Sequence, residues 1–299
     1  MGFADGAASA LATAPEPDRH GIAYGLSTTG FHRIAYTDWG PPKDDVAVLC
    51  LHGLTRQGRD FDYLAATLAR HDRRVVCPDL PGRGRSDWLP SAFHYVFPQH
   101  CADAAVMIAS MTSAQVDWVG TSIGGLIGII LAGVPGSPIR RLVINDIGPS
   151  VPAAAAFRVC EKLTHMPQQF ETFDNALDYF RKNFSTYGNL EDNYWAHIVH
   201  HSIEWTEEHS RYRVLLDRNC FSCIQYVSLL QRATLALLEK HQNSGSDIGG
   251  RKIGFSTSCA CKGDAKSKSE CAPTARSWRR SHANAHAAGS DNPYSRVPP

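Results

Sequence analysis

The sequence predicts a doubly wound, mostly parallel α/β sheet with a helical lid, and three observations carry that prediction. Over residues 21 to 149, short β-branched runs alternate with amphipathic stretches, the rhythm of successive strand–helix–strand units. Two of the runs, Val46–Leu51 and Leu142–Ile144, are almost wholly apolar, as strands covered on both faces must be. After residue 150 the strand signal stops and helix follows helix.

The elements are expected in this order. Ile22–Ser27, His32–Trp39, Val46–Leu51, Arg74–Cys77, Val116–Gly120 and Arg141–Asn145 read as strands from their β-branched and aromatic content. Asp60–Arg70, Gln99–Met111 and Ile123–Val134 carry the helical period between them. Residues 1 to 20, Ala-rich and interrupted by Pro15 and Pro17, are expected to be disordered; 21 to 149 form the core and 150 to 219 the lid, punctuated by Phe180, Trp195, His197 and His201. Residues 220 to 299 read as a mostly disordered, aberrant tail. From Ser244 onward the chain holds nine Lys or Arg against four acidic residues, with no Leu or Met to build a core.

Composition narrows the function. A chain of 299 residues with 43% hydrophobic content and a net charge of +1 buries a substantial core and offers no charge excess for nucleic acid or an anionic membrane. No apolar run is long enough to span a bilayer, and the N-terminal stretch lacks the uninterrupted apolar segment of a signal peptide. Nine cysteines, an odd number, argue for free thiols in a reducing compartment. A cytoplasmic protein acting on a small-molecule substrate, without cofactor, is expected; the oligomeric state is not written in the sequence.

The chemistry is concentrated in Val116–Gly125, where a strand runs into Gly120-Thr121-Ser122-Ile123-Gly124 and then into an apolar helix. Glycines flank the serine because a strand-to-helix turn holds it in a strained conformation with neighbouring chain too close for side chains, exposing its hydroxyl above the sheet. Ser122 is therefore the expected nucleophile, and the helix beneath adds positive partial charge where an oxyanion would form. Leu54, after His52-Gly53 at the end of the central strand, and Ile123 are expected to offer the two backbone N–H groups of an oxyanion hole. His52 reads as a structural residue of the turn. Phe180 and Trp195 are expected to face substrate from the lid, and Asp146, after the sixth strand, to stabilise a turn or orient a base.

His52-Gly53, Asp79-Leu80-Pro81-Gly82-Arg83-Gly84-Arg85-Ser86 and Gly120–Gly124 resemble, in order and spacing, the α/β-hydrolase superfamily, in particular its small-ester, enol-lactone and ring-cleavage-product hydrolases. The resemblance runs from about Gly21 to Asn219. It implies an acyl-enzyme on Ser122, a tetrahedral intermediate held by Leu54 and Ile123, and deacylation by water. C–C bond hydrolysis of a diketone is the nearest variant, and a serine rather than an aspartate at the elbow separates the chain from the dehalogenases.

The superfamily pattern also requires two more strands, a catalytic acid and a histidine after the lid, and none is legible. The histidines that remain, His241, His282 and His286, stand without a preceding strand. Reading the codons one nucleotide later changes this. Trp278–Ser290 can then give a Gly-x-Gly-His turn, Gly250–Phe255 an acid turn, and Leu235–Leu238 a Trp-x-x-Trp. Residues from roughly Cys220 onward are therefore expected to be an out-of-frame translation of an ordinary hydrolase C-terminus. If instead the frame printed here is the one the cell translates, the acid and histidine are absent and the alternative is a catalytically impaired product that binds a ligand without turning it over. Cys220-x-x-Cys223 with Cys259-x-Cys261 offers thiolates of the kind that hold zinc, but its irregular spacing leaves no metal expected.

Overall fold

The computed structural model describes residues 14–42, 45–111, 114–148, 151, 153–226 and 252–256, and every structural statement below concerns these. Strands β1 (Arg19–Ser27) and β2 (Gly30–Trp39) form an antiparallel hairpin, followed by the apolar β3 (Val46–Leu51). A 3₁₀ turn, Gly58–Phe61, leads into α1 (Asp62–Arg70), then β4 (Val75–Pro78), α2 (Phe97–Ser110), β5 (Gln115–Thr121), α3 (Ile123–Gly133) and β6 (Ile139–Asn145). The seven-stranded sheet has the order β1-β2-β4-β3-β5-β6-β10, in which β10 is Lys252–Ser256. The pairs β4/β3, β3/β5, β5/β6 and β6/β10 are parallel, and the pairs β1/β2 and β2/β4 at the other end of the sheet are antiparallel. This is the mostly parallel sheet the sequence predicts, with β3 buried at every position.

One face of the sheet packs on the larger apolar cluster, which includes Leu49, Leu51, Trp118, Ile127, Leu142 and Ile144. The other closes over Val48, Cys50, Phe61, Ala65 and Cys77. Tight helix–sheet approach is written in glycines: a Cβ on Gly124 would lie 2.1 Å from the Leu51 carbonyl oxygen, and one on Gly120 would lie 2.4 Å from that of Gly124. Neither contact can relax by moving a side chain, because both partners are backbone.

Three expectations are corrected. The lid, α4 (Ala153–Thr164), β7 (Gln169–Phe170), α5 (Phe173–Asn183), α6 (Asp192–Ser202), β8 (Ile203–Thr206) and β9 (Arg211–Val214), is not wholly helical. Its short strands form an antiparallel sheet in the order β7-β9-β8. The two strands β8 and β9 are only four residues each, too short for an alternation to register against the helices before them.

At the N-terminal end, residues 14–20 belong to the folded unit. Asp18 accepts from the Gly40 N–H at 2.6 Å, Glu16 pairs with Arg59 at 3.0 Å, and β1 already begins at Arg19.

At the C-terminal end, order continues past residue 219. Arg218–Tyr226 form a 3₁₀ stretch whose Cys220 is fully buried against Pro81 and Gly82. The strand β10 pairs in parallel register with β6 from Arg141 to Asn145, so a seventh strand lies beside the sixth over that length. The segments Leu235–Leu238 and Trp278–Ser290, together with His241, His282, His286, Cys259, Cys261 and Cys271, lie outside the described residues, as do residues 1–13.

Candidate functional site

Ser122 sits between β5 and α3 with φ 51° and ψ −116°, a left-handed conformation that costs a non-glycine residue on the order of 1–3 kcal/mol. What holds it there is a set of backbone bonds. The Ser122 N–H donates to the Asn145 carbonyl at 2.9 Å, and its own carbonyl accepts from Gly125 and Leu126 at 2.9 and 3.1 Å. Trp118, fully buried in β5, adds a bond from its indole N–H to the Gly124 carbonyl at 3.0 Å. Ser122 occupies the N-cap position of α3, yet its hydroxyl makes no capping bond. The residue is half-buried, leaving the hydroxyl available at the positive end of the helix.

The His52-Gly53-Leu54 turn lies directly beside it. A methyl group placed on Gly53 would sit 3.7 Å from the Ser122 Cβ and 3.8 Å from the Arg56 Cγ. The turn is locked from beneath by His52, whose Nδ1 is 2.7 Å from the Gly53 carbonyl while its Nε2 accepts the Leu80 N–H at 2.9 Å. These partners require the neutral imidazole protonated on Nδ1, and burial with the neighbouring Arg83 and Arg56 lowers the His52 pKa to about 3. Arg83, with no exposed surface, donates to the Leu54 carbonyl at 3.0 Å and to that of Pro81 at 2.8 Å. The Asp79–Ser86 motif thus serves to fasten the turn. Asp79 itself accepts from the N–H groups of Gly58 and Arg85.

Among the described residues neither the Leu54 N–H nor the Ile123 N–H donates to another protein group, and both residues are buried. Asp146, immediately after the Asn145 that holds Ser122, takes the left-handed conformation at φ 55°, and burial raises its carboxyl pKa. Among the described residues no histidine or carboxylate hydrogen-bonds the Ser122 hydroxyl.

The two lid aromatics are buried rather than open: Phe180 retains 1% and Trp195 6% of its exposure. Phe180 packs on Phe184 with ring centres 5.3 Å apart, and Trp195 lies parallel to Tyr187 at 6.5 Å. Arg56 is a connection that the sequence reading missed. Its guanidinium grips both oxygens of Asp60 at 2.5 and 2.7 Å, donates to the Ser202 hydroxyl of the lid at 3.2 Å and lies 5.7 Å from the Phe180 ring centre. The available signal was the Arg56/Asp60 spacing of four; the Ser202 partner is 146 residues away. A separate cleft of about 500 Å³, bordered by Arg33, Tyr36, Asp79, Arg85, His200 and His201, does not include Ser122.

Comparison with known proteins identifies the fold. A family model described as "alpha/beta hydrolase fold" matches residues 46–212. The 3-hydroxybutyrate-oligomer hydrolase of Cupriavidus necator is 44% identical over 180 residues, covering 60% of this chain and 61% of that protein; the chain therefore spans about three fifths of that relative's length. Among solved structures, a putative hydrolase from Rickettsia typhi superposes with a TM-score of 0.65 at 20% identity, over 80% of this chain and 90% of that one. An alpha/beta hydrolase from Novosphingobium aromaticivorans gives 0.61 at 24% identity, with the same coverage. Among the described residues no helix is long and apolar enough to cross a membrane.

Proposed function

Because the chain belongs to the alpha/beta hydrolase fold family, a family of hydrolytic enzymes, we propose that it cleaves small carboxylic esters through an acyl-enzyme on Ser122, with short oligomers of 3-hydroxybutyrate as the substrate class. The observation that carries this reading is Ser122 itself, held at φ 51° with its hydroxyl uncommitted at the start of α3. Strain of that kind is retained where it positions a reacting group.

In the proposed reaction the Ser122 oxygen attacks the ester carbonyl carbon, and the carbonyl oxygen becomes an oxyanion facing the N–H groups of Leu54 and Ile123. Each such preorganised donor contributes on the order of 10²–10³ in rate. The tetrahedral intermediate collapses with departure of the alcohol, which takes up a proton, and water then releases the acid from Ser122. Arg56, beside the Ser122 turn, ties that turn to the lid through the Ser202 hydroxyl and the Phe180 ring. The substrate class rests on the 44% identity to an enzyme named for 3-hydroxybutyrate oligomers; a lactone or a diketone would present the same carbonyl to the same serine.

A second reading, an impaired product that binds without turnover, is favoured by one observation: the Ser122 hydroxyl has no histidine partner among the described residues. Labelling with a fluorophosphonate followed by peptide mapping separates the two. The expected result is a single adduct on Ser122; an intact serine that fails to label establishes the impaired chain, because an unactivated hydroxyl does not react. Resequencing the gene across the codons for Asp217 to Trp278 then shows which C-terminus the cell makes. An inserted or deleted base that restores an Asp and a Gly-x-Gly-His turn supports the out-of-frame reading, and an unchanged frame refutes it.

A further inference from the structure

Away from Ser122, the start of α1 meets the lid helix α6 through a group of ligand-type side chains that the hydrolytic reading leaves unused. His197 and His201 stand four residues apart on α6 and so share one face, their ring centres 4.5 Å apart. His197 Nε2 is 3.2 Å from Asp62 Oδ2 and 3.1 Å from the Arg59 carbonyl. Asp62, the first residue of α1, has no exposed surface and His197 keeps 2%. Asp62, His197 and His201 each bring one ligand atom within 4.8 Å of the other two.

The polar accounting at this point is incomplete in a specific way. Arg59 Nε donates to Asp62 Oδ2 at 2.5 Å, while its Nη2 pairs with Glu16 at 3.0 Å. With those bonds made, Asp62 Oδ1 and His197 Nδ1 remain buried without a hydrogen-bond partner. Since His197 Nε2 carries the proton toward the Arg59 carbonyl, Nδ1 presents a lone pair, as does Oδ1. Buried lone-pair atoms cost on the order of 1–3 kcal/mol each when unmatched, and both a carboxylate oxygen and an imidazole nitrogen are atoms that a cation satisfies. The single positive charge nearest them, on Arg59, is balanced by Glu16 and Asp62.

We propose that Asp62, His197 and His201 form a binding site for one divalent transition-metal ion of the Zn²⁺ type. Two imidazoles and one carboxylate are the donor set such ions prefer, and a fourth position is left for water. His201 is half-buried and borders the 500 Å³ cleft, which gives the ion a route from solvent. Because Asp62 belongs to the core and both histidines to α6, a bound ion would clamp the lid to the core.

The test uses the full chain after dialysis against a chelator, with Co²⁺ and Zn²⁺ as probes. The expected result is one Co²⁺ per chain with ligand-field bands of a nitrogen and oxygen donor set and no thiolate charge-transfer band. Zn²⁺ should raise the melting temperature, since an ion that binds only the folded state stabilises by mass action. His201→Ala should weaken Zn²⁺ binding about tenfold or more while melting like the parent in the absence of metal; His201→Gln, which keeps the bulk, serves if the alanine variant does not fold. No retained ion, a thiolate band that assigns binding to cysteines, or unchanged affinity in the His201 variant each overturns the proposal.

Discussion

Replacing Ser122 with alanine is expected to remove fluorophosphonate labelling entirely and to lower ester turnover by about 10⁶, the loss typical when a serine nucleophile is deleted from a hydrolase. Replacing it with glycine is expected to do the same to chemistry while making the protein more stable. At φ 51° and ψ −116° a side chain is strained by on the order of 1–3 kcal/mol, and glycine adopts that conformation freely, at an entropic cost of roughly 0.5–1 kcal/mol. The net gain is about 1 kcal/mol, or a few degrees in melting temperature for a chain of this size. Activity assays and thermal melts on both variants check this. Retained turnover in the alanine variant sinks the assignment of Ser122, and a Ser122→Gly protein less stable than the parent sinks the strain argument.

Acid is expected to destabilise the protein through His52. Its imidazole is held neutral in the folded state down to about pH 3, against an ordinary value of 6.5. Between those values the unfolded chain binds a proton that the folded chain refuses, so the His52 contribution is full above pH 6.5 and is lost as pH falls toward 3. At 1.36 kcal/mol per unit, the loss between pH 6.5 and a test pH of about 4 is on the order of 3 kcal/mol. His100, pushed well below its ordinary value by burial, adds in the same direction, whereas Asp79, raised to about 6 by burial, opposes it. The measurement is therefore a difference: urea unfolding of the parent and of His52→Gln at neutral pH and near pH 4. The parent should lose more stability than the variant over that interval. Equal losses would show that His52 does not titrate with folding.

Gly120–Gly124 was readable because its physics is local. A strand, a strained turn and an apolar helix are encoded in about a dozen consecutive residues, and the glycines that let α3 approach β3 are printed beside the serine. The alternation of strands and helices from residue 21 to 149 was legible for the same reason, since burial on both sheet faces leaves an unbroken apolar run such as Val46–Leu51. The short lid strands β8 and β9 were not, because four residues give too few alternations to stand out from neighbouring helices.

What only the tertiary structure decided is how distant residues finish one another's bonds. The sequence marks His52 as structural, but its neutral state follows from Leu80, 28 residues away, and from the dry surroundings that the crossovers create. The link from Arg56 to Ser202 and the meeting of Asp62 with His197 join residues more than a hundred positions apart. Such pairs leave no periodic signal, because each partner is chosen by where the sheet and lid bring the chain together, and a buried polar atom reveals its need only once the atoms around it are in place.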